Sequence, residues 1–261
     1  MRTALLAAVL ALVAPACTAD ITGGGSSGGT GDTGGTGGTG GTGGGDTGGG
    51  DTGGTGTGSG VSAAVAVSLD RPTVATELGK TEMLSLTVTS QGGYAGNVPV
   101  VASVVDGNGN PVTGWTLTPT PTSVDLTDGS TANVALLVAV PTDAAMLTPM
   151  VKITMDGASV SSAFTVTNQL TITIAEGTGA TAPHTSLPAA NAPIKVRSGA
   201  KVIFHNADTI VHEIHAGGGI AHEPGPLNPG ADYIVTPSDD ATWYCHTHEG
   251  NSGINRKITV E

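Results

Sequence analysis

Cysteine is nearly absent from this chain of 261 residues, which has two, Cys17 and Cys245. The two lie far apart, so no Cys-x-x-Cys motif is present, and Cys17 belongs to an N-terminal signal described below. A structural zinc site normally uses four ligands and often more than one cysteine. The sequence therefore disfavours both a disulfide-stabilised domain and a zinc knuckle in the folded part of the chain.

Positive charge is also scarce. Nine Lys and Arg residues stand against 21 Asp and Glu residues, which gives a formal net charge of −12 at pH 7. A protein that binds nucleic acid must neutralise phosphates with clustered cations. The composition thus excludes nucleic acid as a partner.

The N-terminal apolar run is too short to span a bilayer as a mature helix. It extends from Ala4 to Val13 behind the single positive charge of Arg2, which is typical of a secretory signal. The following Ala14-Pro15-Ala16-Cys17 resembles a bacterial lipobox, with Ala14 where Leu is favoured. We expect a signal peptide over residues 1–16, a lipid on Cys17 and an extracytoplasmic, membrane-anchored lipoprotein, periplasmic or on the cell surface. Cleavage that leaves Cys17 unmodified is the alternative.

Large side chains are missing from the next segment, which contains only Gly, Thr, Ser and Asp between Thr22 and Gly60. Such a composition has nothing to bury and cannot offset the entropy cost of ordering its backbone. Residues 17–60 are therefore predicted to form a disordered, lipid-anchored tether with a root-mean-square span of ~35 Å.

The remaining chain is long enough for two domains, and both have the pattern of all-β proteins. Short alternating segments separated by turn signals recur over residues 61–168 and again over residues 169–261. The segments from Gln91 to Val98 and from Leu126 to Ser130 resemble bacterial immunoglobulin-like modules. The first domain is thus predicted to be an Ig-like β-sandwich. It contains no His or Cys, which favours a spacer or adhesive role.

What the second domain does have is histidine. All seven histidines of the chain lie in its last third, at positions 184, 205, 212, 215, 222, 246 and 248. Cys245 and His248 are three residues apart, and other histidines lie far upstream. One thiolate with two imidazoles is the ligand set of a trigonal copper site, and both donor types suit copper in its two oxidation states.

The same domain resembles a known family in its motifs. Ile194-x-Val196-x-Ser198-Gly199-x-Lys201-Val202-x-Phe204-x-Asn206-x-Asp208 is followed in order by Val211 to Ile214, by Pro229-Gly230 and by Tyr244-Cys245-x-x-His248. This order, over about 70 residues, is similar to that of the cupredoxins, the plastocyanin, amicyanin and pseudoazurin group. The resemblance implies a Greek-key β-sandwich that binds one copper ion per chain through His212, Cys245 and His248.

Methionine, the weak axial ligand usual in that family, is absent from the domain, since the five methionines all lie at or before Met155. Alignment of the closing loop places Ile254, or with a shift of one residue Gly253, where that Met is expected. We therefore expect a three-coordinate site, or one completed by a main-chain carbonyl near Val211 or by the carboxylate of Glu249.

The other histidines are weaker candidates for binding the same copper ion. Successive side chains of a strand alternate between its faces, so His212 and His215 should point in opposite directions, as should Cys245 and His246. His215, His246 and His222 are candidates for a secondary metal or substrate site, with packing or solvent exposure as the alternative. His205 and His184 rate lower.

Three functions fit these residues. The first is one-electron transfer by a type 1 copper site with an unidentified redox protein, which makes the chain a carrier rather than an enzyme. The second is a copper enzyme of the oxidase or nitrite-reductase kind, in which His246 contributes to a second copper at an oligomer interface. The third is copper storage or sensing.

Overall fold

The computed structural model describes residues 62–222, 225–250 and 253–261, all within a compact unit that extends from Thr57 to Glu261. The predicted signal peptide, Cys17 and the predicted tether lie outside the described residues. None of the described helices is long and apolar enough to cross a membrane.

The described chain is almost entirely β, as its alternating sequence predicts. The first nine strands are β1 (Ala64–Leu69), β2 (Thr73–Leu78), β3 (Thr81–Gln91), β4 (Gly96–Pro99), β5 (Val101–Val105), β6 (Thr116–Thr120), β7 (Ser123–Leu126), β8 (Thr131–Ala139) and β9 (Met150–Met155). The later elements are β10 (Ala158–Ile174), β11 (Ile194–Val196), β12 (Lys201–Asn206), β13 (Ile214–Gly218), β14 (Asp232–Val235), β15 (Ala241–Cys245), the one-turn helix α1 (His246–Glu249) and β16 (Arg256–Val260). The prediction of an all-β fold is confirmed.

The strands form four sheets. Their orders are β1-β3-β8-β6, β14-β12-β10-β9-β5 with β2 also paired to β10, β11-β16-β15-β13, and the small pair β4-β7. Most pairs are antiparallel, whereas β10 pairs in parallel with β2 and with β12, and β11 with β16. Four strands lie where the sequence pattern was too weak to predict them: β2, β6, β7 and β13.

Strand β10 is the structural link between the two halves of the chain. Its first part pairs with β9 and β2, and its last part, from Gln169 to Ile174, pairs with β12. The register shifts between Thr167 and Leu170, which lets one strand of 17 residues change partners. The domain boundary predicted at residue 168 therefore falls inside a continuous strand.

Two hydrophobic cores lie on either side of this link. One is built from the early strands around Leu86, Val138, Ile153 and similar residues, and the other from the later strands. In the second core, Phe204 of β12 packs edge to face on Trp243 of β15, with ring centroids 4.9 Å apart. Because β15 alternates buried and outward residues, Trp243 and Cys245 share the inward face. That alternation brings the thiol to one end of the second core.

Candidate metal centre

Four potential ligands meet at this end of the core: His184, His212, Cys245 and His248. One candidate donor atom from each lies within 4.8 Å of those of the other three. Cys245, His212 and His184 are buried, and His248 is partly buried. The three residues that the sequence singled out as copper ligands are thus brought together, and a fourth joins them.

The donor atoms of the three predicted ligands have the spacing of a ligand triangle. Cys245 Sγ lies 3.5 Å from His212 Nδ1 and 3.6 Å from His248 Nδ1, and the two Nδ1 atoms are 3.2 Å apart. Metal bonds of usual length in tetrahedral geometry would separate two nitrogens by ~3.3 Å and a nitrogen and a sulfur by ~3.5 Å. These side chains therefore fit a metal ion without rearrangement.

Each ligand comes from a different local structure. Cys245 ends β15, and α1 follows at once, so that His248 is carried back toward the thiol within a single helical turn. His212 lies just before β13 and forms an isolated bridge with Leu227. The next residues of β13 and β15 pair, with Ile214 opposite Cys245.

Asp208 determines which nitrogen of His212 faces the thiol. Its Oδ2 lies 3.0 Å from His212 Nε2 and accepts the Gly179 N–H at 2.8 Å, while Oδ1 accepts the N–H of Gly177. The hydrogen bond with His212 is the main reason that the pKa of Asp208 lies far below its usual range. An ionised Asp208 accepts the proton on Nε2, which leaves the Nδ1 lone pair directed at the site.

The loop that carries His212 is itself held by Asn206. The Asn206 side-chain amide donates to the carbonyls of Ile210 and Leu227 at 2.9 and 2.8 Å, and its oxygen accepts the Asp208 N–H at 3.0 Å. Buried polar groups with all partners present give a rigid local structure. This explains the Asn206-x-Asp208 motif in structural terms.

Glu249, one of the axial candidates, is not among the four residues of the cluster. Its carboxylate is buried and accepts from Arg256 at 2.5 and 2.8 Å, from the Cys245 N–H at 3.1 Å and from the His184 N–H at 2.8 Å. Burial alone would raise the pKa of Glu249, but these hydrogen bonds lower it to about 2. Glu249 is therefore an ionised anchor that joins the two loops carrying Cys245 and His184.

The other two axial candidates lie in the closing loop. Gly253 is exposed, has a φ of 69° and has no side chain to offer. Ile254 is partly buried and lines a shallow apolar groove together with His184 and Arg256. The additional donor that the structure brings to the cluster is instead His184, which the sequence rated low because nothing in its own segment signals a ligand.

Burial sets the protonation states of the metal-free site. It raises the pKa of the Cys245 thiol, which backbone hydrogen bonds from Glu213 and His248 partly oppose. It lowers the pKa of His184 and of His248, so both imidazoles are biased toward the neutral form that binds metals. A metal ion must therefore displace the thiol proton, and binding releases acid.

The remaining candidate histidines gather on the opposite, outer face of the same sheet. His222 Nε2 lies 3.0 Å from His215 Nδ1, and the ring centroids of His215 and His246 are 5.1 Å apart. His246 Nδ1 lies 3.5 Å from Glu213 Oε1, and Tyr244 packs on His215. His215 and His246 are thus not part of the four-residue cluster, although His246 begins helix α1 and His212 precedes β13, so strand alternation alone does not separate them.

Comparisons with known proteins add little weight to this geometry. No protein-family model and no curated protein sequence matches the chain. Among solved structures, a purple cupredoxin from Nitrosopumilus maritimus is similar over 35% of this chain and 99% of its own, at 21% identity and a TM-score of 0.28. Domains 4 and 5 of the S-layer protein SbsC match over 40% and 53% of the two chains, at 12% identity and a TM-score of 0.29.

A Salmonella enterica SafA pilin in complex with the SafB chaperone matches over 74% of this chain and 96% of its own, at 15% identity and a TM-score of 0.25. TM-scores this low carry no argument about function. The assignment of the site therefore rests on its own residues, which form a buried His/Cys cluster able to hold a metal ion.

Proposed function

We propose that this chain binds one copper ion through His212, Cys245 and His248 and transfers single electrons to and from a redox protein. The observation that carries the proposal is the triangle of donor atoms, with nitrogen–nitrogen and nitrogen–sulfur separations of 3.2, 3.5 and 3.6 Å. A single thiolate with imidazoles is the donor set that suits copper best among the first-row metals. When bound, copper supplies the one-electron redox change.

Buried charge supports a divalent ion at this place. Asp208, Glu249 and Arg256 are all at most 3% exposed, and a metal-bound Cys245 would be a thiolate. These groups together leave two formal negative charges in a region of low dielectric constant, where uncompensated charge is costly. A divalent ion would neutralise both negative charges, and a monovalent ion would leave one negative charge uncompensated. With either oxidation state of copper, the net charge of the site is therefore zero or −1.

The surrounding structure favours electron transfer over substrate turnover. Asp208 holds His212 and Glu249 holds the backbone of Cys245, so these two ligands are fixed by partners that do not themselves bind the metal, and His248 is part of the helical turn α1. Rigid ligands keep the site unchanged between oxidation states, which lowers the cost of gaining or losing an electron. The partly buried His248 is the ligand nearest to solvent and is the natural contact for a redox partner.

The test is a redox titration of the copper-loaded protein under anaerobic conditions, with metal analysis of the same sample. We expect one copper per chain, reversible uptake and release of one electron per copper, and no redox signal from the metal-free protein. A site that binds copper but cannot be reduced and reoxidised without losing it would contradict electron transfer and favour storage or sensing.

A second candidate function is a copper enzyme with an additional metal on the outer face. It is favoured by the 3.0 Å approach of His222 Nε2 to His215 Nδ1 and by the ring contact of His215 with His246. In the metal analysis above, this function requires more than one copper per chain. The excess should disappear in His215→Ala while the thiolate-bound copper remains.

We further propose that Cys17 carries a lipid that anchors the protein to a bacterial membrane outside the cytoplasm. The proposal rests on the lipobox-like sequence and on the Gly/Thr-rich tether behind it. We expect mass spectrometry of the N-terminal peptide to show an acylated Cys17, and Cys17→Ala to release the protein from membranes with its copper site intact. An unmodified Cys17 in membrane fractions would contradict the anchor.

A further inference from the structure

His184 is a buried histidine without a structural explanation. It lies between β10 and β11, is 2% exposed, and neither of its ring nitrogens has a hydrogen-bond partner among the described residues. A buried polar group left unsatisfied costs ~1–3 kcal/mol, so each such group in a native structure requires a reason. Packing alone would be served better by an apolar side chain of the same size.

The ring is placed against the two histidines of the proposed copper site. Its centroid lies 5.2 Å from that of His212 and 5.5 Å from that of His248, in edge-to-face arrangements. One of its nitrogens lies within 4.8 Å of the donor atoms of His212, Cys245 and His248. One of the two unpartnered nitrogens is therefore at the candidate metal centre.

The backbone of His184 is held on both sides by the ion pair that also holds the cysteine. Glu249 Oε1 accepts the His184 N–H at 2.8 Å, and Glu249 Oε2 accepts the Cys245 N–H at 3.1 Å. Arg256 reaches the His184 carbonyl at 3.5 Å. A single carboxylate thus sets the distance between the loop of His184 and the loop of the thiol, which is the behaviour expected of a group that positions ligands.

We infer that a ring nitrogen of His184 would be the fourth ligand of the metal, in a domain that has no methionine to offer. The inference rests on the proposed copper site and completes its ligand set as three imidazoles and one thiolate. Binding a metal would satisfy one of the two orphaned nitrogens. An imidazole is also a harder donor than a thioether and favours copper(II) over copper(I).

The experiment counts the imidazoles on copper(II). Pulsed EPR of the copper-loaded wild-type protein should detect three coupled imidazoles, and His184→Leu should retain two, with a changed wavelength and intensity of the thiolate-to-copper absorption. Loss of a residue that only hydrogen-bonds to a metal ligand typically lowers metal affinity 10- to 100-fold. Loss of a ligand should lower copper affinity by at least this factor. His205→Leu removes a histidine that is paired with Asp232 away from the site and should change none of these properties.

The metal-free proteins provide the second measurement. If His184 is a ligand, His184→Leu should unfold at the same or a higher denaturant concentration than the wild type, because the variant removes two unsatisfied nitrogens. If the ring serves only packing, the metal-free variant should be less stable than the metal-free wild type. The copper-loaded wild-type protein should then show only two coupled imidazoles. That result, with the thiolate absorption intact, would overturn the inference and leave the copper site standing. Absence of the thiolate absorption in the wild type would instead overturn the copper site itself.

Discussion

Replacing Cys245 by Ser is expected to abolish the intense thiolate-to-copper(II) charge-transfer absorption. Only sulfur supplies the donor orbital for that transition, and a serine hydroxyl does not ionise to an equivalent ligand at neutral pH. The substitution is nearly isosteric and lies at a buried strand end, so the fold should be kept. The measurement is the visible absorption and EPR spectrum of wild type and variant after addition of one equivalent of copper(II).

His215→Ala is the matched control for this experiment. His215 pairs with Tyr244 directly beside Cys245, but on the outer face of the sheet, so the colour should remain largely intact. Equal absorption in Cys245→Ser and wild type would mean that copper binds elsewhere. A colourless wild type that holds zinc in the four-ligand cluster would rule out electron transfer, since zinc has no redox chemistry.

The second large effect is expected from Arg256→Leu, which should destabilise the metal-free protein by ~3–5 kcal/mol. Arg256 and Glu249 are 2% and 1% exposed, and the substitution leaves the carboxylate buried without its counter-charge. The variant also loses the hydrogen bond to the Pro188 carbonyl at 2.7 Å and the packing of the guanidinium over Trp243, 5.3 Å from the ring centroid. Denaturant unfolding of the metal-free protein measures the change.

The control is Arg71→Leu. Arg71 pairs with Glu82 at 3.2 Å, but both side chains are partly exposed, and such pairs contribute about 0–1 kcal/mol. In the double variant Arg256→Leu with Glu249→Leu, neither charge of this pair is left without its partner, and we expect part of the lost stability to return. If Arg256→Leu costs no more than Arg71→Leu, the buried ion pair does not support the site as described.

Much of the fold follows from local patterns, and the exceptions have physical causes. Alternation of apolar and polar residues predicted the all-β class, and strands such as β8 and β15 bury one face on a core as that pattern implies. Strand β13 escaped prediction because it ends in glycines, which have low strand preference and are retained here by pairing with β15. The sequence did not reveal that β10 continues through residue 168, because the strand remains unbroken where it changes partners between Thr167 and Leu170.

For the site, the sequence was informative where ligands are close along the chain. Cys245 and His248 are three residues apart, and the single helical turn of α1 is enough to bring both to one ion. His212 was predicted to be a copper ligand because its motif resembles that of the cupredoxins. His184 and Glu249, by contrast, are 65 residues apart and are joined by a hydrogen bond. From sequence Glu249 was a candidate ligand, whereas in the structure its carboxylate accepts hydrogen bonds from Arg256 and from the backbone of Cys245 and His184.

The sequence by itself determined the all-β class, the composition of the N-terminal segment and a set of copper-binding residue types gathered at one end of the chain, because these depend on side-chain chemistry and short spacing. The tertiary structure decided which histidines share a centre: His184 joins His212 and His248, while His215, His222 and His246 lie on the outer face. It also placed Asp208 against the ring of His212 and Glu249 against the backbone of Cys245 and His184, outside the four-residue cluster. Such roles arise where loops distant in sequence converge at one end of a packed core, and no local pattern records that convergence.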